Sequence, residues 1–408
     1  MVNPIAIAIP FFFVLIFMEL GVAWWTRRSV YRFADAISDL SCGLTQQVGK
    51  AFYVAAITVP FVWLYENGRL FELDSSHWTT HVLAFLLVDF AYYWWHRWTH
   101  ETQVGWATHV VHHQSEDYNL AVALRQSLTS TITNAPFILP LALVGIDPFV
   151  IGLHGALNTL YQFWIHSELI PKLGPIEWVF NTPSHHRVHH AVNPAYVDKN
   201  YAGVLIIWDR LFGTFVEEDE EAVYGTMDPL RNFDPLWANL QGFVVLWRHM
   251  STAPSLRDAW SCLWASPAWT PPWLPERGKV QPLTRDEQDK YDPPVSTALA
   301  VYICIQFVGV GAALELLLLW DKTAELQLLA ALGLYVVVTT VVWAGLTQAR
   351  SWARAAEVLR LVLVVPGAFL VVGVASLPWA GAFAVFSGVL FAALVVGRRN
   401  TPDMMAPV

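Results

Sequence analysis

Apolar runs long enough to cross a lipid bilayer recur along the whole chain, and nothing else limits its fold so strongly. A helix needs about 20 mostly apolar residues to cross the hydrocarbon core. Inside that core the backbone must satisfy its own hydrogen bonds, which makes helices the spanning structure for runs of this length. The pattern predicts spans at about 5–25, 43–65 and 79–95, a hairpin at about 130–144 and 148–165, and a C-terminal group near 296–320, 325–346, 356–375 and 379–397. Pro140 and Asp147-Pro148 mark the turn region of the hairpin. Of the 408 residues, 55% are hydrophobic and 14% charged, where a soluble protein carries about 25% charged residues. Trp24, Trp25, Trp63, Tyr65, Trp94, Trp95 and Trp320 stand at ends of apolar segments, where amphipathic rings favour the membrane interface. The first run, MVNPIAIAIPFFFVLIFMELGVAWWTRR, lacks a basic start and a small-residue cleavage site. It reads as a retained helix and not as a signal peptide.

Charge orients the spans. With Arg27, Arg28 and Arg32 in the cytoplasm, the second span runs out, the third returns to end at His96, and the hairpin returns at His166 on the same side. The last four spans then put Arg350, Arg354, Arg360, Arg398 and Arg399 inside, leaving little more than Arg69 and Lys322 outside. Residues 167–295 are more polar and predict a cytoplasmic cap lying against the membrane, with the Pro-rich stretch 267–294 as a linker into the C-terminal spans. The net charge of −9 is spread along the chain apart from an acidic run at Glu217–Glu221, which argues against a nucleic-acid partner. Cys42, Cys262 and Cys304 are scattered without CxxC spacing, so neither a disulfide framework nor a thiolate site is expected.

Nine histidines fall in four groups just past the apolar segments: His96 and His100; His109, His112 and His113; His166; and His186, His189 and His190. Imidazole is the commonest neutral nitrogen ligand for transition metals, and rings at i, i+3 and i+4 of a helix share one face. A single His on an apolar face is more often a core residue than a ligand. Three clusters in 95 residues, two of them spaced HxxHH, are hard to obtain by composition from 14 His in all. Eight clustered rings can surround two metal ions. All-nitrogen ligation suits Fe, Zn or Cu better than Mg or Ca. Iron in such a pair could activate O2, whereas zinc has no redox chemistry. The membrane setting implies a lipid substrate arriving sideways from the cytoplasmic leaflet. The expected class is therefore all-α: a polytopic helical membrane bundle with a cytoplasmic, histidine-rich di-metal cap.

Metal-bound His commonly donates its second ring N–H to a carboxylate or carbonyl. Asp89, seven residues before His96 and so on the same helical face, is the first candidate, since a charge within a span is costly unless used. Its bland reading is a partner for Arg97 or a tyrosine hydroxyl. Glu116 and Asp117, after the second cluster, are candidates against a solvated-loop reading. Arg125 and Gln126 are candidates for a polar headgroup contact, or else a helix-end interface pair. Glu19 and Glu315 receive no role; His77 and His81 fall on the opposite membrane side; His154 reads as structural and His185 as an outer residue pointing to another face.

The clusters resemble the fatty acid hydroxylase and sterol desaturase superfamily, whose pattern is HxxxH, HxxHH and a later HxxHH. The flanking stretches DFAYYWWHRWTH, THVVHHQSEDYNLAVALRQS, LYQFWIHSELI and NTPSHHRVHHAVNPAYVDKNYAGVLIIWDRLFGTF resemble the alkylglycerol monooxygenase family more closely. The likeness covers roughly residues 10–235, and the four trailing spans fit it, because shorter sterol desaturases lack such an extension. It implies a core at 1–290 with its cap, followed by membrane helices at 291–408. It also implies an O2-dependent di-iron monooxygenase that uses tetrahydrobiopterin to hydroxylate the carbon beside the ether oxygen of an alkylglycerol, releasing a fatty aldehyde. Carried over, the ligands are His96, His100, His109, His112, His113, His186, His189 and His190. His166 matches a further ligand of related hydroxylases, and Gln162 stands where some relatives have His. The implied partners are the bilayer, a membrane lipid, and reduced pterin or another electron donor. The host membrane is the endoplasmic reticulum if the source is eukaryotic, the inner membrane if bacterial.

Other readings remain at this stage. A sterol desaturase or another lipid hydroxylase, acting on ornithine lipids or carotenoids, shares the metal site. A metal transporter would place His and Asp at mid-membrane depth in several spans, not at their cytoplasmic ends. A zinc hydrolase would leave most of these rings unused.

Overall fold

The computed structural model describes residues 4–275, 284–320 and 326–396. Lys322, Arg398 and Arg399, which enter the charge-bias reading, lie outside the described residues. Within them the chain is helical, with two isolated β-bridges, Phe180–Leu205 and Ala191–Tyr224, and no strands. The helices are α1 (Pro4–Thr26), α2 (Phe33–Gly68), α3 (Trp78–Glu101), α4 (Gln103–His113), α5 (Ser130–Val144), α6 (Pro148–Trp164) and α7 (Pro183–His190). They continue with α8 (Ile207–Phe212), α9 (Pro235–Ser251), α10 (Leu256–Trp264), α11 (Thr297–Trp320), α12 (Leu326–Thr347), α13 (Ala353–Val372) and α14 (Leu377–Phe391).

The mast of the structure is α2, 36 residues long, or about 54 Å at 1.5 Å per residue. Ala34, Ile37, Leu44 and Val48 along its first half bury against Tyr302, Ile303, Val336 and Trp343 of α11 and α12. Phe61 in its second half joins Ala84, Val88 and Ala91 of α3 and Leu141, Ala142 and Val150 of the α5–α6 hairpin. On α1, Phe12 stacks on Phe163 of α6 with centroids 4.3 Å apart. The hairpin closes as its sequence requires: Gly145 takes φ +97° after α5, and the Asp147 carboxylate accepts from the Phe149 N–H ahead of Pro148.

Among the described residues, five helices are long and apolar enough to cross a bilayer, over Ile7–Thr26, Phe33–Gly68, Thr297–Glu315, Leu326–Thr347 and Leu377–Leu394. The outward faces agree: Phe11, Phe17, Trp24 and Trp25 on α1 are 64–84% exposed, an apolar surface that suits lipid and not water. The protein is a multi-pass helical membrane protein. The expected spans at 79–95, 130–144 and 148–165 do form helices, but they do not meet that standard. His81, Asp89 and several Tyr and Trp make α3 too polar, while α5 and α6 have only 15 and 17 residues. One charge assigned to the inside is also elsewhere. Arg360 is buried between helices, where its guanidinium donates to both carboxylate oxygens of Glu357 (2.6 and 2.8 Å) and to Gln306 (3.0 Å), with Tyr302 O–H also on Glu357.

Candidate metal centre

The last turns of α3 bring His96 and His100 onto one face, four residues apart. The chain then breaks at Thr102, whose carbonyl and hydroxyl both cap α4, the hydroxyl accepting from Gly105 N–H at 3.1 Å. Gly105 is required for the return: a Cβ there would sit 2.6 Å from the Trp98 carbonyl oxygen and 2.7 Å from Thr99 Cα. This tight crossing lays His109, His112 and His113 against the His96–His100 face. From the other side α7 supplies His186, His189 and His190, and His166 follows α6.

The nine rings divide into two groups. His96, His100, His109, His113 and His189 form one; His112, His166, His186 and His190 form the other, and within each group the candidate ligand atoms lie within 4.8 Å of one another. The eight histidines singled out by spacing and His166, added by the resemblance, are all brought together. The Nε2 atoms of His96 and His109 are 3.0 Å apart, those of His109 and His113 3.2 Å, of His112 and His166 3.2 Å, and of His166 and His186 3.1 Å. Two imidazole nitrogens each ~2.1 Å from one ion, at right angles, would be about 3 Å apart. His100, His189 and His190 have buried Nε2 atoms with no hydrogen-bond partner. Buried polar atoms are rarely left unpaired, so the donor set fits two transition-metal ions.

The rings are aimed by backbone carbonyls. The Nδ1–H groups of His96, His112, His166 and His189 donate to the carbonyls of Tyr201 (2.7 Å), Arg125 (2.9 Å), Gln162 (2.7 Å) and Lys199 (3.0 Å). That arrangement fixes the tautomer and turns each Nε2 lone pair inward. Burial, with the neighbouring rings, holds the His109, His113, His186, His189 and His190 imidazoles well below their usual pKa, and burial pushes His112 down to about 4. Neutral imidazole is the form that ligates a metal.

The carboxylates proposed from sequence lie behind this shell. Asp89 accepts from Val204 N–H (2.8 Å), Leu205 N–H (3.0 Å), the Trp208 indole (2.9 Å) and the Asn158 amide (2.7 Å), so it ties the 201–208 segment to α3 and not to a histidine ring. Asp117 accepts from Arg32 and from Lys290 (2.8 Å), and Glu116 from Tyr291 N–H (2.7 Å). Both are buried and fasten the segment after α4 to the approach to α11, so neither lies in a solvated loop. The carbonyl positions explain the difference, because four Nδ1–H groups already have acceptors.

The structure adds residues that spacing alone did not single out. Asp209 accepts from Tyr201 N–H and Ala202 N–H, both at 2.8 Å, and from the Thr214 hydroxyl, and so orients the carbonyl that His96 uses. Burial raises its carboxyl to about 6. Glu19 accepts from the Tyr31 and Ser167 hydroxyls and from Leu120 N–H (2.8 Å), joining α1 to the residue after His166. Arg125 is fully internal, held by Val111 O, Ser38, Asp39 and Gln114, so it is not a headgroup contact. His185 packs on Phe215, and His81 pairs with His154 at 3.2 Å, away from both groups. His77 caps α3 through Thr79.

Two cavities reach the rings. One of about 450 Å³ touches His109, His112 and His166 and runs past Tyr92, Trp95 and Phe163 between α1, α2, α3, α5 and α6 to Phe307 and Leu314 of α11. The other, about 210 Å³, touches His100, His113, His189 and His190 and is lined by Trp106, Gln103, Asp198 and Gln241 in the cap.

A helical membrane protein with two adjoining groups of buried imidazoles, opened to an apolar cavity, has the form of a membrane-bound metal-dependent lipid oxidoreductase. Residues 81–214 match the fatty acid hydroxylase family. Over longer stretches the chain is similar to alkylglycerol monooxygenases. It is 40% identical to that of Xenopus tropicalis over 73% of this chain and 67% of the relative. It is 38% identical to that of Danio rerio over 88% and 80%, and 39% identical to that of Homo sapiens over 87% and 80%. No solved structure matches. The chain belongs to the alkylglycerol monooxygenase family, and it is a monooxygenase of the fatty acid hydroxylase class.

Proposed function

We propose that this protein hydroxylates the carbon beside the ether oxygen of an alkylglycerol. One atom of O2 enters the C–H bond, the other leaves as water, and the donor supplies two electrons and two protons. The hemiacetal formed then divides into a fatty aldehyde and glycerol. The observation that carries this reading is the 450 Å³ cavity, which puts an apolar channel directly against His109, His112 and His166. Positioning of the C–H bond at that wall would govern which carbon reacts. Tyr92 and Trp95 face the channel beside the rings and would exclude water from the reacting carbon.

The nine histidines are the proposed ligands of two iron ions. When bound, iron would supply O2 activation. Asp89, Glu116 and Asp117 act as positioning groups through the segments they hold. Reduced tetrahydrobiopterin is the proposed donor, following from family membership. The 210 Å³ cavity supports a small donor, because it meets a different set of rings, His100, His113, His189 and His190, from those that the lipid channel touches. We assign the catalytic core and cap to residues 1–290 and the remaining membrane helices to 291–408. The rings lie on the cytoplasmic face of the endoplasmic reticulum or of a bacterial inner membrane, following the arginine bias.

The test is incubation of iron-loaded protein in micelles with an alkylglycerol, O2 and tetrahydropterin, followed by assay for fatty aldehyde. Oxygen-dependent aldehyde release is expected. No aldehyde, together with turnover of a sterol or an ornithine lipid, would move the assignment to another lipid hydroxylase.

A further inference from the structure

The lipid channel carries one cation, and no acid, among its lining residues. That cation is Lys50 of α2, which shares a polar stretch of wall with Gln46 and Gln47, while Gln126 and Asn134 also line the channel. Lys50 is half-buried and has no hydrogen bond or ion pair with any described residue. The three arginines buried near the rings are each paired, Arg32 with Asp117, Arg125 with Asp39, and Arg187 with Glu218. An unpaired charge within a span is costly and marks a position that is used.

Its depth is informative. Gly43 packs directly on Leu124, the neighbour of Arg125 whose carbonyl receives His112. Lys50 lies seven residues further along α2, about 10 Å along the helix axis. A glycerol unit with a phosphate on its far carbon spans a comparable distance from its ether carbon. Ile9, Phe12, Phe13, Phe307 and Leu314 line an apolar part of the same channel that suits an alkyl tail.

We propose that Lys50 pairs with the anionic headgroup of a single-chain ether lipid, a phosphate on the glycerol carbon distal to the ether, and thereby sets which carbon stops at His109, His112 and His166. Lys50 is a positioning residue in this scheme. The proposal rests on the ether-lipid reading above. It distinguishes itself from the bland alternative, a lysine that extends its ammonium toward the interface along its methylene stem, because that lysine would confer no preference for charge.

The experiment uses full-length iron-loaded protein in neutral detergent, without O2 or reductant, so that no lipid is consumed. A fluorescent fatty probe is displaced by 1-O-hexadecylglycerol or by its 3-phosphate. The phosphate is expected to bind on the order of tenfold more tightly, as a charge-assisted pair in an apolar channel requires. Lys50→Met should bring the ratio of the two Kd values to about one, and Lys50→Arg should keep it. With O2 and donor added, Lys50→Met should act on the phosphate lipid mainly through KM. Equal Kd values in the native protein, or a preference that survives Lys50→Met, would overturn the proposal. A charge preference without aldehyde release would leave it standing and sink the ether-lipid reading; aldehyde release without a charge preference would do the reverse.

Discussion

His112 and His113 are adjacent in the chain, yet they fall in different groups of rings: His113 joins His96, His100, His109 and His189, while His112 joins His166, His186 and His190. The second HxxHH run divides the opposite way. On α4 the i, i+4 pair His109 and His113 serves the first group and the single His112 the second. On α7 the i, i+4 pair His186 and His190 serves the second group and the single His189 the first. Each run therefore contributes to both groups, and a helix face wide enough for three rings is what allows it.

Substituting His112 and His113 separately tests that division. His112→Ala and His113→Ala should each lower bound iron from two per chain toward one and reduce aldehyde formation by at least a hundredfold, since ligand loss exceeds the 10- to 100-fold effect of an outer-shell change. Iron analysis of the purified proteins decides it. Two irons retained in both variants would contradict the two-group assignment.

Asp89→Asn is expected to weaken metal binding without removing a ligand. It keeps the shape of the side chain but gives up the charge that holds Val204 N–H, Leu205 N–H and the Trp208 indole. Loss of such buried, charge-assisted bonds costs about 1–3 kcal/mol, and through the Tyr201 carbonyl it should cut iron affinity ten- to a hundredfold. Glu116→Gln, which touches only the Tyr291 segment and the Arg32 cluster, should leave iron affinity within a fewfold. Competition with a chelator measures both, and equal effects would show that Asp89 does not act through the 201–208 segment.

The helical membrane character and eight of the nine rings were legible in the sequence, because both rest on local patterns, apolar run length and the i, i+3, i+4 spacing; His166 stands alone and was reached through the family resemblance. The acceptors for those rings were not. Tyr201, Arg125, Gln162 and Lys199 contribute carbonyls, which every residue has, so no side-chain type signals them. Asp89 was visible as a charge in an apolar helix, but its partners lie 69 to 119 residues away, and only folding pairs them. The partner of Asp39, Arg125, and those of Glu19, Tyr31, Ser167 and Leu120, were hidden for the same reason. The packing of α5 and α6 as a short hairpin on α3 was not legible, since apolar residues buried by protein and by lipid look alike in sequence.

Gly105→Ala should damage the centre by steric means alone. The added Cβ would press on the Trp98 carbonyl and Thr99 Cα, both backbone atoms that cannot rotate away. Overpacking of this kind typically costs about 1–3 kcal/mol, and here it would push α4 away from α3, separating His109 and His113 from His96 and His100. A fall in thermal stability accompanied by loss of iron is expected. Full iron content at unchanged stability would show that the crossing tolerates a methyl group.

Asp209 supplies a dependence on pH whose sign can be worked out. Burial lifts its carboxyl to about 6 in the folded protein, above the ordinary value near 3.9 in an unfolded chain. Between about pH 4 and 6 the native state therefore holds more of this proton than the unfolded state does. Stability from this group rises as the pH falls from 6 toward 4 and is lost as the pH rises back through 6. The buried imidazoles titrate in the opposite sense, so the contribution must be read as a difference between native protein and Asp209→Asn, which has no proton to take up. Relative to that variant, native protein should gain unfolding temperature as the pH is lowered from 6.5 to 4.5, and the two curves should run parallel above pH 7. Parallel curves across the whole range would mean that the carboxylate is already ionised at pH 4.5, held by Tyr201 N–H, Ala202 N–H and Thr214 more strongly than burial opposes it.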